Sequence, residues 1–197
     1  MTGPAIPLAL LTRAWAAVAE RYAAYELVLP GSATFECQPR LCDAYCCRSY
    51  SVNLGDFEVA RMAASSGLPA SRFLEVEDGV PIALPMAQPY LLRREDNRCA
   101  LLGDELGCTQ YHGRPDACRL YPHFVVFIDE AAAKPVYADL DAIRLAMDAF
   151  RTGEAPALVP LLLRHVECPG FTGPAMTGAD WGALFEATFT LQYGAKE

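Results

Sequence analysis

The stretch Cys37-Gln-Pro-Arg-Leu-Cys42-Asp-Ala-Tyr-Cys46-Cys47 places four cysteines within eleven residues. Four more follow, at Cys99, Cys108, Cys118 and Cys168. The chain has 197 residues, of which 53% are hydrophobic, so it can form a core without disulfides. The cysteines therefore need another explanation. Their spread along the chain predicts that they tie it into one folded unit.

Metal ligation is the explanation that this cysteine pattern favours. Thiolates are strong ligands for zinc and for iron–sulfur clusters, and a loop can direct several sulfurs to one point. The adjacent Cys46 and Cys47 should point in different directions in either a helix or a strand. They would then serve two metal centres, bind different irons of one cluster, or include one packed or redox thiol. The candidate metal ligands are Cys37, Cys42, Cys46, Cys47, Cys99, Cys108, Cys118 and Cys168.

The spacing of the cysteines bears on the identity of the metal. Structural zinc sites usually contain short Cys-x2-Cys to Cys-x4-Cys pairs, and no Cys-x-x-Cys occurs in this sequence. Eight unevenly spaced sulfurs are compatible with [4Fe–4S] ligation, which takes four cysteines per cluster. An iron–sulfur cluster is therefore preferred over zinc as the cofactor. Two alternatives remain at this stage: a disulfide framework in an exported protein, and buried cysteines that act as small apolar residues.

Charge and hydropathy limit the partners. The chain carries 24 acidic and 16 basic residues, a formal net charge of −8, and no basic stripe, which argues against nucleic-acid binding. No run reaches about 18 uncharged apolar residues, so no membrane span is predicted. The start of the chain lacks a Lys- or Arg-rich secretory region. A cytoplasmic location is therefore expected, where thiols stay reduced.

Hydrophobic periodicity predicts an α+β fold, mainly helical, with a small β-hairpin or sheet and a cysteine-rich metal site. One domain is expected over residues 1–197, with its cysteine-cluster core at about 35–173. A hairpin is predicted over 97–111 and a β-rich run at Phe124–Ile128. Helices are predicted over 7–29, 55–66, 139–151, 156–166 and 178–192.

The cysteine motifs resemble the YkgJ-like cysteine-cluster family, whose members are described as zinc- or iron-chelating. The Cys-x4-Cys-x3-Cys-Cys group carries part of the resemblance. A second part is the order Cys99-x-x-Leu102, Cys108-x-x-Tyr111, Arg114-Pro115-x-x-Cys118-Arg119-x-Tyr121-Pro122. The third part is Cys168-Pro-Gly-x-x-Gly173. The resemblance runs from about residue 35 to residue 173 and implies a metal ion or cluster as ligand.

Flagellin lysine-N-methylases look like distant relatives with a similar cysteine cluster. That similarity implies an alternative function, a cluster-dependent redox or protein-modifying enzyme. Under this alternative, the chain would act on a protein substrate or bind a protein partner. Whether the chain is an enzyme is not decided by its sequence.

Charged residues next to Cys118 are candidates for supporting the bound group. Arg114 and Arg119 flank this cysteine, and a cation near thiolates offsets their charge and lowers thiol pKa values. The sequence therefore predicts that both arginines contact the cofactor region. The three histidines each lie within five residues of a cysteine and are candidate zinc ligands, although a surface or core role is favoured for them. The pair His165-x-x-Cys168 is kept as a candidate.

Overall fold

The computed structural model describes residues 7–137 and 139–194. The helices in these residues are α1 Leu8–Ala16, α2 Tyr45–Ser49, α3 Asp56–Ser66, α4 Asp116–Leu120, α5 Leu140–Thr152 and α6 Gly178–Tyr193. The strands are β1 Tyr25–Leu27, β2 Asn53–Leu54, β3 Val76–Glu77, β4 Val80–Pro81, β5 Tyr90–Leu91, β6 Arg94–Glu95, β7 Arg98–Cys99, β8 His123–Asp129, β9 Lys134–Val136 and β10 Val159–His165.

The chain divides into two compact units. Of the described residues, 7–36 and those from 120 to 194 form one, here called the sheet unit. Residues Cys37–Arg119 form the other, here called the cysteine unit, which contains seven of the eight cysteines. The prediction of one domain over residues 1–197 stays a prediction, and each unit is described by itself.

A four-stranded antiparallel sheet is the centre of the sheet unit, with the strand order β1-β10-β8-β9. In its register Leu162 lies opposite Val125, and Leu27 lies opposite Leu163. Consecutive residues of β8 and β10 are buried, which indicates central strands covered on both faces. Helices α1, α5 and α6 pack against these two strands, so the core of this unit lies between sheet and helices.

Helix α6 is fixed to the sheet unit by polar contacts as well as by packing. The indole N–H of the buried Trp181 donates to the Val28 carbonyl at 2.7 Å, and the Trp181 ring stacks on Phe185 at 5.0 Å. The side chain of Gln192 bonds both the N–H and the carbonyl of Val125, each at 2.8 Å. The prediction of a helix over 178–192 agrees with α6 to within one residue.

The cysteine unit has a smaller core of its own. Helix α3 contributes Met62 to this core, and the unit also contains three two-stranded pairings, β2–β5, β3–β4 and β6–β7. The buried core residues are Leu54, Met62, Phe73, Leu74, Leu92 and Leu101. Cys99 packs against this cluster, so a cysteine is part of the hydrophobic packing of the unit.

The predicted fold class is wrong in its description of the chain as mainly helical with a small sheet. Residues 156–166, predicted as a helix, contain β10, because a continuous apolar run such as Val159–Leu163 suits a buried central strand as well as a helix. The predicted helix 7–29 ends at Ala16, and its last part pairs with β10 as β1. The predicted metal site is also not formed among the described residues, as the next subsection explains.

No helix in the described part of the chain combines the length and the apolar composition that a membrane crossing needs. The longest, α6, has 16 residues.

The buried His123 makes the stability of the sheet unit depend on pH. Its side chain packs edge-on against the rings of Phe35 and Phe171, which also contact each other, and the residue is 7% exposed. Burial, together with the positive charge of Arg164, lowers the pKa of His123 from 6.5 to about 4. Arg164 in turn pairs with Glu26.

We therefore expect the free energy of unfolding to fall as the pH drops from about 6.5 towards 4, because the unfolded chain binds a proton that the folded chain excludes. At pH 5 the loss from this residue is about 2 kcal/mol. Urea unfolding should show a smaller difference in the free energy of unfolding between pH 7 and pH 5 for His123→Gln than for the wild type. The control His112→Gln should keep the wild-type difference. An equal difference in all three proteins would contradict the prediction.

Candidate metal centre

Two adjacent thiols project from the short helix α2. The helix begins after Ala44, which has a left-handed backbone with φ of 52°, and none of the residues of α2 is fully buried. The Cys47 thiol forms a hydrogen bond with the Cys46 sulfur, and this bond lowers the pKa of Cys46 to about 7. The same bond, followed by burial, raises the pKa of Cys47. The pair therefore shares one proton more readily than it loses two.

A two-residue turn positions Cys99. Asp96 and Asn97 both have positive φ, 50° and 60°, which is the arrangement of a type I′ hairpin turn. The turn pairs Arg94 with Cys99 across the β6–β7 hairpin. Burial raises the pKa of the Cys99 thiol, while the backbone N–H of Leu101 and the charge of Arg94 act to lower it.

Cys108 repeats the local arrangement of Cys99. Its sulfur accepts a hydrogen bond from the backbone N–H of Gln110, two residues further on, as Cys99 does from the N–H of Leu101. Leu102 and Cys108 form an isolated antiparallel bridge. Burial raises the pKa of Cys108, and the charge of Arg114 opposes this. Such N–H donors favour thiolate, which is the ligating form.

Cys118 is the most buried of these thiols. It lies in α4, and burial raises its pKa to about 12. Negative charge on the sulfurs of Cys99, Cys108 and Cys46 would raise it further, while Arg114 acts to lower it. Five thiols of the cysteine unit therefore influence each other's protonation: Cys46, Cys47, Cys99, Cys108 and Cys118.

The other three predicted ligands, Cys37, Cys42 and Cys168, have different surroundings. The Cys42 thiol faces the backbone carbonyls of Gln38 and Pro39, at 3.8 and 3.7 Å. Cys37 is exposed. Cys168 belongs to the sheet unit, where its N–H donates to the His165 carbonyl at 3.4 Å. None of the eight cysteines forms a disulfide in the described residues.

The expected metal site is not preformed. Among residues 7–137 and 139–194, no group of three or more His, Cys, Asp or Glu side chains is arranged to hold a metal ion. The thiols lie on several short elements, and burial raises the pKa of Cys99, Cys108 and Cys118, which disfavours the thiolate form that ligates metal. The donor set itself, thiols with N–H donors and an arginine charge, fits zinc or an iron–sulfur cluster.

The two predicted arginines differ in their surroundings. The Arg114 guanidinium stacks on the Tyr111 ring at 3.7 Å, and its charge lowers the pKa of Cys46, Cys108 and Cys118. The Arg119 guanidinium instead pairs with the Asp116 carboxylate at 3.4 Å.

Sequence reasoning missed Arg94. This side chain donates to the carbonyls of Arg48, Tyr50 and Asn97, so it joins the end of α2 to the β6–β7 turn. Its charge also lowers the pKa of Cys99. The Asp96-Asn97 pair was the signal that could have identified it, because a two-residue turn there places Arg94 opposite Cys99.

The histidines are also distributed over both units. His112 contacts the Tyr111 ring edge-on at 5.9 Å. In the sheet unit, His165 packs against Tyr25 and Tyr121, and its Nδ1 lies 2.9 Å from a Glu167 carboxylate oxygen.

A family comparison matches residues 36–139 to CxxCxxCC, described as "Putative zinc- or iron-chelating domain". This range covers more than half of the chain. The chain belongs to the CxxCxxCC family. The resemblance seen in the sequence is thereby confirmed, although Cys-x4-Cys-x3-Cys-Cys is longer in both spacings than the family's printed pattern. Compared with curated proteins and with solved structures, the chain has no match.

The contacts of Arg94 lead to a stability prediction. Arg94→Met removes a charged donor from three backbone carbonyls, so we expect the free energy of unfolding to fall by roughly 1–3 kcal/mol. The neighbouring Arg93 pairs with the exposed Glu95 at 2.9 Å, and ion pairs at the surface contribute little, so Arg93→Met should cost less than about 1 kcal/mol. Chemical unfolding of both variants measures the difference. An equal loss of unfolding free energy in both variants would show that the hydrogen bonds of Arg94 do not stabilise the protein more than the surface ion pair of Arg93 does.

Proposed function

We propose that the chain binds a metal through its clustered thiolates, and that the native group is an iron–sulfur cluster rather than zinc. The observation that carries the proposal is the mutual influence of five thiols within the cysteine unit. Membership of a zinc- or iron-chelating family supports metal binding in general.

The five thiols that influence one another's pKa are the proposed core of the ligand set. Cys46, Cys99, Cys108 and Cys118 lie on three different local elements, α2, the hairpin region and α4, so their closure on one group would join these elements. Cys47, hydrogen-bonded to Cys46, is proposed as a fifth contact. Cys37, Cys42 and Cys168 are proposed as further ligands, of the same group or of a second one.

Binding would change the state of the thiols. A bound ion or cluster supplies positive charge that stabilises the thiolate forms, and its binding free energy adds to the free energy of folding. Arg114 and Arg94 would offset part of the remaining negative charge. Because the thiols are not arranged as a finished site among the described residues, binding is proposed to draw α2, the hairpin and α4 together.

The choice of iron over zinc rests on the number and spacing of the sulfurs. Structural zinc sites usually contain short Cys-x2-Cys to Cys-x4-Cys pairs, and this chain has no Cys-x-x-Cys among its eight unevenly spaced cysteines. A [4Fe–4S] cluster presents four separate irons and can accept thiolates from several directions. The alternative function, a cluster-dependent redox or protein-modifying enzyme, stays a prediction, as do a protein partner or protein substrate and the cytoplasmic location.

Elemental analysis and a visible spectrum of protein purified without oxygen test the choice of metal. Iron with acid-labile sulfide and a broad band near ~400 nm would support the cluster. Stoichiometric zinc with no visible band would overturn the cluster and keep metal binding. Protein with neither metal would contradict the proposed function.

Individual cysteine variants test the core ligand set. Cys118→Ser and Cys46→Ser should lower both the metal-to-protein ratio and the melting temperature, because each removes a thiolate from the core. Cys42→Ser, whose thiol faces its own turn, should lower the ratio less. Elemental analysis and thermal unfolding provide both readouts. Unchanged metal content in Cys118→Ser and Cys46→Ser would contradict a shared site.

A further inference from the structure

Helix α3 contains no cysteine, yet one of its faces holds the segment that leads to Cys118. Glu58 and Arg61 lie one turn apart on this helix, and Ser65 lies one turn beyond Arg61. Each of the three meets a residue between Gly113 and Asp116. The spacing of three and four residues puts them in one row along the helix.

Glu58 is the buried end of this row. The residue is 1% exposed, and burying a carboxylate is costly unless it is hydrogen-bonded. One oxygen, Oε1, accepts the backbone N–H of Asp116 at 2.8 Å. The other, Oε2, accepts the N–H of Gly55 at 3.0 Å and the Gln88 amide at 3.3 Å. A single side chain thus caps the start of α3 and binds the first residue of α4.

Arg61 makes the second connection. Its Nη2 donates to the Arg114 carbonyl at 2.9 Å and to the Asp116 carboxylate at 2.7 Å. Asp116 is also buried, at 9% exposure. The pairing therefore joins a partly buried cation to a buried anion, and loss of Arg61 would remove this 2.7 Å ion pair while the 3.4 Å pair of Asp116 with Arg119 remains.

Gly113 allows the close approach that these contacts require. A Cβ added to Gly113 would lie 2.7 Å from the Cβ of Ser65, a distance that atoms of this kind do not adopt. The backbone before Arg114 therefore runs directly against α3. With Glu58 and Arg61, this contact fixes the segment 113–116 at three points.

We infer that Glu58 and Arg61 are positioning residues of the metal centre, an inference that rests on the proposed function. They hold the backbone of Arg114 and Asp116, and through it they set the place of Cys118 two residues later. They also set the place of the Arg114 charge, which acts on Cys46, Cys108 and Cys118. Neither residue needs to touch the metal for its loss to loosen the site.

Glu58→Gln is the most direct test, because it keeps the size of the side chain. The two oxygens of the carboxylate accept from three N–H donors. The glutamine amide has one oxygen, so its NH2 group would face at least one of these donors and lose that hydrogen bond. Metal-loaded protein, as purified without oxygen, is challenged with EDTA, and metal release is followed by elemental analysis after desalting. We expect release about tenfold to a hundredfold faster than in the wild type, the usual effect of losing a residue that supports the ligands.

The matched control is Glu77→Gln, which removes one exposed carboxylate from the same unit and should release metal at the wild-type rate. A melting-temperature comparison separates positioning from general stability. A purely structural role lowers the melting temperatures of metal-loaded and metal-stripped protein equally. A positioning role makes the difference in melting temperature between metal-loaded and metal-stripped protein smaller in Glu58→Gln than in the wild type. Only that result agrees with the inference.

A second pair of variants keeps the test decisive if Glu58→Gln does not fold. Arg61→Gln should release metal faster than the wild type, and Arg61→Lys, which keeps the charge but not the fork of donors, should fall between the two. If the variants that fold release metal at the wild-type rate, the positioning role is wrong, but the proposed function is not contradicted. A wild-type protein without metal would overturn both.

Discussion

Several thiols of the cysteine unit are partly buried, and burial opposes the loss of their protons. Burial is the largest cause that raises the pKa of Cys99, Cys108 and Cys118, and a thiolate formed on a neighbouring cysteine would raise these pKa values further. Backbone N–H donors at Cys99 and Cys108 and the charge of Arg114 oppose the effect only in part. A bound cation is the remaining means of neutralising several thiolates at once.

The cysteine unit is also built from short helices and strands. Helix α2 has five residues, β6 and β7 have two each, and α4 has five. Elements of this length contribute little stability of their own, so side chains from elsewhere must hold them. Arg94 does this for α2 and the hairpin, and Glu58 and Arg61 do it for α4.

Local patterns in the sequence predicted part of this structure. The helix over 55–66, the strand around Phe124–Ile128 and the helices near 139–151 and 178–192 all occur, because their starts, ends and apolar periods act over a few residues. The strand β10 was mistaken for a helix, since the run from Val159 to Leu163 is buried on both faces and has no period. Glu58 was missed because its partner Asp116 is distant in sequence, and no local pattern reveals such a pairing.

The order of the two units along the chain has a consequence for synthesis. The cysteine unit is one continuous segment, Cys37–Arg119, placed between the two parts of the sheet unit. A ribosome therefore completes it before β8, β9 and β10 exist, and α1 and β1 must wait through its synthesis for their partners. Seven cysteines emerge while the sheet is still incomplete, and only Cys168 follows β10. Metal supply during translation would thus act on the cysteine unit first, ahead of the rest of the fold.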